Sequence, residues 1–243
     1  MKFIIDNKIP YIKGALEPYG EVIYLPGNEI TKDVVKDADA LVIRTRTICN
    51  ELLLSGSTVK FIATATIGYD HIDTVYCREA GITWTNAPGC NSGSVEQYVA
   101  SALVTYADTK NLDLKNLSIG VVGVGHVGSK VARLCRLLGM EVLLNDPPRA
   151  RTEGPSAFVS LEHIMAEADI ISLHVPLNLN GEDATYHLAD AGFFSGLKHC
   201  QLLINTCRGE VVNTSAIKTA LAQGQVSEYI CDCWEQEPDI DME

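Results

Sequence analysis

The feature that most constrains the fold is a glycine-rich turn between two apolar patterns, within residues 118–138. An apolar run predicts a strand, and Gly123, Gly125 and Gly128 predict a tight turn after it. Apolar residues at steps of four, three and four then predict a helix whose packed face consists of Val127, Val131, Leu134 and Leu138. Glycines in such a turn let the backbone approach a pyrophosphate, whose charge is attracted by the N-terminus of the helix. The pattern therefore predicts a dinucleotide site, although a glycine triplet alone is a weak signal.

A carboxylate at the next strand end narrows the choice of dinucleotide. Residues 141–145 predict a second strand, and Asp146 follows it about twenty residues after the glycines, where a carboxylate accepts hydrogen bonds from an adenosine ribose. A carboxylate there repels the extra phosphate of NADP, so the sequence favours NAD. Arg149 and Arg151 are close enough in sequence to weaken that repulsion. The alternative is that Asp146 only begins the turn before Pro147.

Composition limits the classes of protein to which this chain can belong. The 243 residues are 47% hydrophobic and 21% charged, which is typical of a folded chain with one large or two smaller domains. The formal net charge of −12 argues against a nucleic-acid partner, because neutralising phosphates needs a basic face and none appears in the sequence. Asp6 and Lys8 interrupt the first apolar residues, and no apolar run approaches the length of a membrane span. We therefore expect a cytoplasmic protein without membrane or nucleic-acid partners.

The eight cysteines lack the paired spacing of a metal or redox motif. Most lie in apolar patterns, which predicts reduced thiols in the core. Cys231 and Cys233 are separated by one residue, and a bond or a shared metal between them is not expected. No metal site is expected.

Strand and helix patterns alternate along the whole chain, which predicts an α/β fold with two doubly wound parallel-sheet domains. We expect a substrate domain over residues 1–92 and a dinucleotide-binding domain over residues 93–243, joined by a helix from about Ser92 to Ala107. Other helices are expected over residues 161–168 and 213–223. Besides those named, the predicted strands span residues 2–6, 21–24, 40–43, 60–65, 82–85, 169–174, 200–205 and 226–232.

Several reactive side chains follow predicted strands of the second domain. Ligands of open α/β sheets bind beyond the carboxyl ends of the strands, so His174, residues 205–208 and Asp232 should face one crevice. Arg208 fits a carboxylate clamp, because its guanidinium forms two parallel hydrogen bonds; the alternative is a surface arginine in a loop. Glu235 and Glu237 are both candidates to act on a base.

Four motifs in order resemble the D-isomer-specific 2-hydroxyacid dehydrogenases over essentially the whole chain. They are Gly123-Val-Gly-His-Val-Gly128, His174-x-Pro-Leu177, Asn205-Thr-Cys-Arg-Gly209 and Asp232-x-Trp-Glu-x-Glu-Pro238. Three further segments resemble the branch of this family that oxidises 4-phosphoerythronate in vitamin B6 synthesis. These are Thr64-Ala-Thr-Ile-Gly-Tyr-Asp-His71, Ala87-Pro-Gly-Cys-Asn91 and Asp146-Pro-Pro-Arg-Ala150.

The resemblance implies a flavodoxin-like substrate domain, a Rossmann domain that binds NAD, and a homodimer. It implies that Arg208 binds the substrate carboxylate and keto oxygen, and that Glu237 orients a catalytic histidine and raises its pKa. Thr45 and Thr66 are implied to contact substrate. The residues expected to bind NAD are Gly123, Gly125, His126, Val127, Gly128, Asp146, Val175, Thr206, Cys207, Arg208 and Asp232.

Two arginines are candidates for the phosphate or carboxylate of such a substrate. Arg44 and Arg46 follow a predicted strand, and in an extended stretch they would share one side. The alternative is that both are ordinary exposed charges on a loop. Backbone N–H groups around Gly68 are a further candidate for the carboxylate.

The resemblance places the catalytic histidine after the Glu237 motif, whereas this sequence has no histidine beyond His199. We therefore expect the sequence to be a fragment of a longer enzyme, with His174 in a structural role. One alternative function is another 2-hydroxyacid dehydrogenase, acting on 3-phosphoglycerate, glycerate or lactate. The other is a non-catalytic, NAD-sensing dimeric scaffold.

Overall fold

The computed structural model describes residues 1–237 and residue 240. The chain divides into two compact units, Met1–Cys90 and Asn91–Glu243, a boundary two residues before the expected one. Each unit contains one five-stranded sheet, and every strand pair in both sheets is parallel. The expected fold class, two doubly wound α/β sheets, is confirmed.

The first unit has the strand order β2-β1-β3-β4-β5. Two of its three short helices begin at side-chain caps: Asn50 and Asp73 each accept a hydrogen bond from a backbone N–H in the first helical turn, whereas Thr31, which precedes the other helix, makes no such bond. The elements are β1 (Lys2–Asp6), β2 (Glu21–Leu25), α1 (Lys32–Val35), β3 (Ala40–Ile43), α2 (Glu51–Leu54), β4 (Phe61–Thr64), α3 (Thr74–Glu79) and β5 (Thr83–Thr85).

Both faces of this sheet are covered, because alternate residues of each strand point in opposite directions. Ile4 and Leu41 pack on the side that carries α1, α2 and α3. Phe3 and Ile5 pack on the other side, against apolar residues of the 7–20 segment. This arrangement explains why the strands read as continuous apolar runs rather than as alternating ones.

The second unit has the strand order β10-β9-β8-β6-β7. Its longest helix ends at Asn111, which adopts the left-handed conformation that terminates many helices. The elements are α4 (Ser92–Lys110), β6 (Ser118–Val122), α5 (His126–Leu137), β7 (Glu141–Asn145), α6 (Pro147–Glu153), α7 (Leu161–Glu167), β8 (Ile170–Leu173), α8 (Ala191–Gly196), β9 (Leu202–Asn205), α9 (Thr214–Ala222) and β10 (Glu228–Cys231).

Helices cover both faces of this sheet too. Ile171 and Leu203 pack with α7, α8 and α9, whereas Ile170 and Leu202 pack with α4 and α5. Of the predicted face of α5, Val131 is fully buried and Val127 and Leu138 pack beside it, whereas Cys135 rather than Leu134 completes the buried face. Because parallel strands end at one edge, the segments after β6, β8, β9 and β10 lie at the carboxyl edge of the sheet.

The structure changes some details of the sequence-based expectations. Several strands are shorter than predicted, such as β8, β9 and β10, although flanking residues still bond the neighbouring strand, as the His174 N–H does to the Val122 carbonyl. Pro147 and Pro148 do not form a simple turn but begin α6, with Asp146 as the N-cap. Proline is favoured in the first turn of a helix, where its missing N–H needs no partner.

All eight cysteines are free thiols; four are buried and Cys90 is exposed. Among the described residues, no group of three or more His, Cys, Asp or Glu side chains is placed to share a metal ion. Within the same residues, every helix is too short or too polar to cross a membrane.

Candidate functional site

The loop between β6 and α5 depends on two glycines for close packing. Gly123 has a φ of +86°, and a Cβ there would lie 2.5 Å from the carbonyl oxygen of His174. A Cβ on Gly128 would lie 1.9 Å from the carbonyl oxygen of Gly123. Both contacts are with backbone atoms, which cannot move aside as a flexible side chain does. These glycines therefore let the loop fold back against the end of β8 and the start of α5.

Gly125 is different, because a Cβ there would meet no protein atom within 4 Å. It is the N-cap of α5, and the first bond within that helix runs from the Ser129 N–H to the Gly125 carbonyl. The N–H groups of His126, Val127 and Gly128 belong to the first turn, whose donors have no acceptor within a helix. Open space above Gly125 and these donors fit a dinucleotide pyrophosphate.

Asp146 is held beside this loop by both carboxylate oxygens. One oxygen accepts the Val124 N–H at 2.8 Å, and the other accepts the Arg149 N–H at 3.0 Å as the N-cap of α6. The Arg149 guanidinium donates to the Val124 carbonyl at 2.6 Å and pairs with Glu153. Asp146 therefore has a structural task at the glycine loop, and its contact with an adenosine ribose stays a prediction.

The segment after β8 lies directly against the glycine loop. Val175 is 2.9 Å from the position of a Cβ on Gly123. The His174 Nε2 lies 2.9 Å from the Ser172 hydroxyl, and its Nδ1 lies 3.3 Å from the Thr206 hydroxyl. Burial lowers the pKa of His174 to about 4, so the ring is neutral near pH 7. A neutral ring with hydroxyl partners on both nitrogens is consistent with the structural role expected from the sequence.

Asn205, the last residue of β9, closes the loop that carries Arg208. Its side-chain oxygen accepts the Cys207 N–H at 3.1 Å, and its side-chain nitrogen donates to the Arg208 carbonyl at 2.9 Å. The Arg208 guanidinium donates to the Cys207 carbonyl at 2.7 Å. Because Asn205 is fully buried, these bonds are shielded from water and fix the backbone of residues 205–208.

The loops after β9 and β10 touch through their backbones. A Cβ on Gly209 would lie 2.1 Å from the carbonyl carbon of Trp234, so only glycine fits there. The Asp232 N–H donates to the Asn205 carbonyl at 3.0 Å. The Glu237 carboxylate accepts the Trp234 N–H at 2.7 Å. The structure thus brings the Arg208 and Glu237 loops together, while Pro238, the end of this motif, lies outside the described residues.

Two thiols at this edge are unsuited to nucleophilic chemistry. Burial raises the pKa of the Cys207 thiol to about 11. It also raises the pKa of the Cys233 thiol well above its usual range. The reactive form of cysteine is the thiolate, so both residues are inert near pH 7.

His187, which the sequence did not indicate, pairs with Glu235. The His187 Nε2 lies 2.6 Å from one Glu235 oxygen, and the other oxygen accepts the Thr214 N–H at 2.9 Å. Burial works to raise the pKa of the Glu235 carboxyl, but these hydrogen bonds outweigh burial and lower the pKa below its usual value. Glu235 and Glu237 therefore differ, since Glu235 is tied to other segments and Glu237 to its own loop.

In the first unit, the candidate cations lie in a tight turn after β3. Arg44, Thr45 and Arg46 are exposed, and the Thr47 N–H donates to the Arg44 carbonyl at 3.2 Å. This bond bends the backbone, so the segment is a turn and not the extended stretch in which the two arginines were expected to share one side. The turn packs against Gly27, whose carbonyl accepts the Thr47 hydroxyl at 2.9 Å.

Thr66 lies in a chain of hydroxyl groups after β4. Its hydroxyl donates to the Gly68 carbonyl at 2.8 Å and lies 2.6 Å from the Thr64 hydroxyl. The His71 Nε2 lies 2.9 Å from the same Thr64 oxygen. Since the single Thr66 proton is used on Gly68, Thr66 is set to accept rather than donate further hydrogen bonds.

Comparison with known proteins matches this chain to one family. Residues 92–242 match the model described as "D-isomer specific 2-hydroxyacid dehydrogenase, NAD binding domain". An "Erythronate-4-phosphate dehydrogenase" of Bacteroides fragilis is 58% identical over 100% of this chain, which covers 70% of that protein. The protein of the same name from Porphyromonas gingivalis is 42% identical, with 100% of this chain and 66% of the relative covered.

Solved structures give the same result. D-lactate dehydrogenase from Aquifex aeolicus, complexed with NAD and lactic acid, superposes with a TM-score of 0.82 and 28% identity. The match covers 98% of this chain and 78% of that one. The geometry at the carboxyl edge of the second sheet therefore occurs in a fold that binds NAD in a related protein.

Proposed function

The chain belongs to the D-isomer-specific 2-hydroxyacid dehydrogenase family, and we propose that it oxidises the C2 hydroxyl of 4-phospho-D-erythronate with NAD. The product is 3-hydroxy-2-oxo-4-phosphooxybutanoate, in the synthesis of pyridoxal 5'-phosphate. The observation that carries this proposal is the backbone contact between the Arg208–Gly209 and Trp234–Glu237 loops beside the glycine turn. The substrate assignment is supported by relatives of that name at 42% to 58% identity.

NAD, when bound, supplies the hydride acceptor. The second unit would hold its pyrophosphate at Gly125 and the first turn of α5, and its adenosine ribose at Asp146. We assign the rest of the pocket to the carboxyl edge of the sheet, where Asp232 and residues 206–208 follow neighbouring strands and Val175 contacts the glycine turn.

The reacting groups have different roles because their charges differ. Arg208 binds the substrate carboxylate and polarises the developing keto oxygen, because a guanidinium offers paired donors and a fixed positive charge. Glu237 stabilises the imidazolium that forms when a histidine takes the C2 hydroxyl proton. The family resemblance places that histidine after Glu237. In the first unit, Arg44 and Arg46 are proposed to bind the phosphate, with Thr45 and Thr66 contacting substrate.

We extend the proposal to the organisation of the protein. Residues 1–92 form the substrate domain and residues 93–243 belong to the NAD-binding domain. The protein works as a homodimer in the cytoplasm, in accord with its resemblance to biosynthetic dehydrogenases.

Substrate preference tests the proposal directly. The protein expressed from its complete coding sequence is assayed with NAD and 4-phosphoerythronate, 3-phosphoglycerate, D-glycerate or D-lactate. We expect the highest kcat/KM for 4-phosphoerythronate. A clear preference for 3-phosphoglycerate would assign the protein to another branch of the family, and NAD binding without any oxidation would favour a sensing scaffold.

Arg208→Ala tests the role of the clamp. The substitution should lower kcat/KM by about 10² to 10³, as expected when a charge-stabilising donor is lost from a reacting oxygen. The dissociation constant of NAD, measured by calorimetry, should change far less than kcat/KM. Arg208→Lys is the matched control, because it keeps the charge but loses the paired geometry and should recover part of the activity. Loss of NAD affinity with turnover preserved would contradict the assignment.

A further inference from the structure

The Glu235 carboxylate joins three segments that are distant in sequence. It belongs to the loop after β10, it bonds His187 in the segment between β8 and α8, and it bonds Thr214 at the start of α9. Asn213 completes the network, because its side-chain nitrogen lies 3.1 Å from the His187 Nδ1. The side chains of His187 and Glu235 are only 25% and 17% exposed, so water competes weakly for these bonds.

The network fixes the proton on His187. The Asn213 side-chain oxygen accepts the Ala216 N–H at 2.9 Å, so the atom facing His187 is the amide nitrogen, which donates. The His187 Nδ1 must then accept, and its Nε2 carries the hydrogen that is donated to Glu235. Both ring nitrogens are used within the protein. His187 therefore has no nitrogen left to take a substrate proton, and the pair is not the acid–base dyad of the reaction.

The network instead controls where the loop after β10 lies. Trp234, next to Glu235, has its backbone against Gly209, and Glu237 caps the N–H of Trp234. Displacing Glu235 would therefore move both the backbone that packs on the Arg208–Gly209 segment and the loop that carries Glu237.

We propose that Glu235 is a positioning residue, whose bonds to His187 and the start of α9 hold the Trp234–Glu237 loop against Gly209. The inference rests on the proposed function only in assigning Glu237 to the reaction. The structural part concerns the place of the loop and is tested without any activity.

Glu235→Gln is the informative substitution, because it keeps the size of the side chain. Two donors, the His187 Nε2–H and the Thr214 N–H, face the two carboxylate oxygens, whereas a carboxamide has one oxygen and one NH₂ group. One donor must then lose its acceptor. Glu228→Gln is the matched control, since Glu228 is a partly exposed carboxylate at the start of β10 that pairs with Lys110.

Trp234 reports the loop position through its fluorescence. Trp84→Phe removes the other tryptophan of the 243 residues, and phenylalanine keeps a ring beside Tyr69. In this background, Glu235→Gln should increase acrylamide quenching of Trp234, whereas Glu228→Gln should not. We expect the displaced loop to become about tenfold more populated, the effect of losing one hydrogen bond to a charged group. Equal quenching in the two variants would overturn the proposal.

Enzyme kinetics, measured on the protein expressed from its complete coding sequence, test the other part of the proposal, that the loop position matters for the reaction. Glu235→Gln should lower kcat in proportion to the fraction of molecules whose loop is displaced, by up to about tenfold, with the KM for NAD nearly unchanged. The acid limb of the kcat/KM profile should move to lower pH, because a displaced Glu237 stabilises the histidine cation less. An unchanged kcat and pH profile despite increased quenching would overturn the positioning role. Increased quenching in a protein that oxidises no hydroxy acid supports the structural part of the proposal and refutes only the proposed function.

A double-mutant cycle distinguishes loss of this hydrogen-bond network from general destabilisation of the protein. His187→Gln and Glu235→Gln should each increase quenching, and the double variant should be no worse than the stronger single variant, because both break one network. Additive effects would show that the two residues act independently and would overturn the proposal.

Discussion

The two sheets have the same strand order, but they differ in the segment after their first strand. In the second unit, β6 runs into the glycine turn and then into α5, so backbone N–H groups face the carboxyl edge. In the first unit, β1 ends at Asp6, whose carboxylate accepts the Lys8 N–H at 2.8 Å. The same topology thus ends in a turn with backbone donors in one unit and in a carboxylate in the other.

The comparison indicates how one strand order can serve the two ligands proposed here, a dinucleotide in the second unit and a substrate phosphate in the first. Parallel sheets of this order open a crevice where neighbouring strands have connections on opposite faces, next to the first strand. In the second unit the backbone is available there, because Gly123 lets the end of β8 approach closely. In the first unit the candidate cations are side chains, Arg44 and Arg46, which follow β3. Topology provides the crevice, and the residues after the strand decide its chemistry.

Gly128→Ala should have the largest effect, because it should destabilise the second unit around its glycine turn. The new Cβ would lie 1.9 Å from the Gly123 carbonyl oxygen, and neither backbone segment has room to move. We expect the free energy of unfolding to fall by more than about 3 kcal/mol, the upper end for overpacking. Denaturant unfolding measures it. Gly27→Ala is the counterpart in the first unit, where the nearest atom is the side-chain Asp6 Oδ2 at 2.7 Å. Its cost should be smaller, and equal costs would contradict the distinction.

Gly125→Ala should separate binding from folding at the same loop. A Cβ there meets no protein atom within 4 Å, so the free energy of unfolding should change little. The methyl group would occupy the space assigned to the pyrophosphate, and the affinity for NAD should fall about 10- to 100-fold through lost charged hydrogen bonds. Calorimetric titration with NAD measures this change. Unchanged affinity would mean that the pyrophosphate lies elsewhere.

The sequence predicted the elements that depend on local pattern. Buried strands such as Ile170–Leu173 read as apolar runs, and the glycine turn was visible because its chemistry lies in consecutive residues. Helix α6 was missed because its paired prolines also fit a turn, and only the backbone shows that Asp146 caps a helix.

Contacts between distant segments could not be predicted in this way. His187 and Glu235 are 48 positions apart, and nothing in either local sequence marks their pairing. The sequence shows Asn205 as part of a motif, but its two side-chain bonds to the backbone exist only once the loop is folded. A local pattern thus identifies residue types, whereas the fold decides which of them meet.

His174 should make the second unit sensitive to acid. Burial lowers its pKa to about 4, from a usual value near 6.5. Below pH 6.5 the unfolded chain therefore binds a proton at this residue that the folded chain does not bind. Stability is therefore lost as the pH falls, by up to about 1.4 kcal/mol per pH unit between pH 6 and 4.5. His174→Gln should remove this slope in denaturant unfolding. His199→Gln, at an exposed position, is the control and should retain it. A slope that survives His174→Gln would locate the acid sensitivity elsewhere.

The smallest effect is expected in the first unit, where anion binding is proposed to depend on exposed side chains. Arg44→Ala and Arg46→Ala should each raise the KM for 4-phosphoerythronate about fivefold, since an exposed charge pair contributes up to about 1 kcal/mol. The increase should shrink with added salt, because screening weakens exposed pairs more than the backbone contacts proposed for NAD. Steady-state kinetics at two salt concentrations measure both effects, with Arg78→Ala on α3 as the control. Equal losses of NAD affinity in the two variants would remove the distinction, because both units would then recognise anions through the same groups.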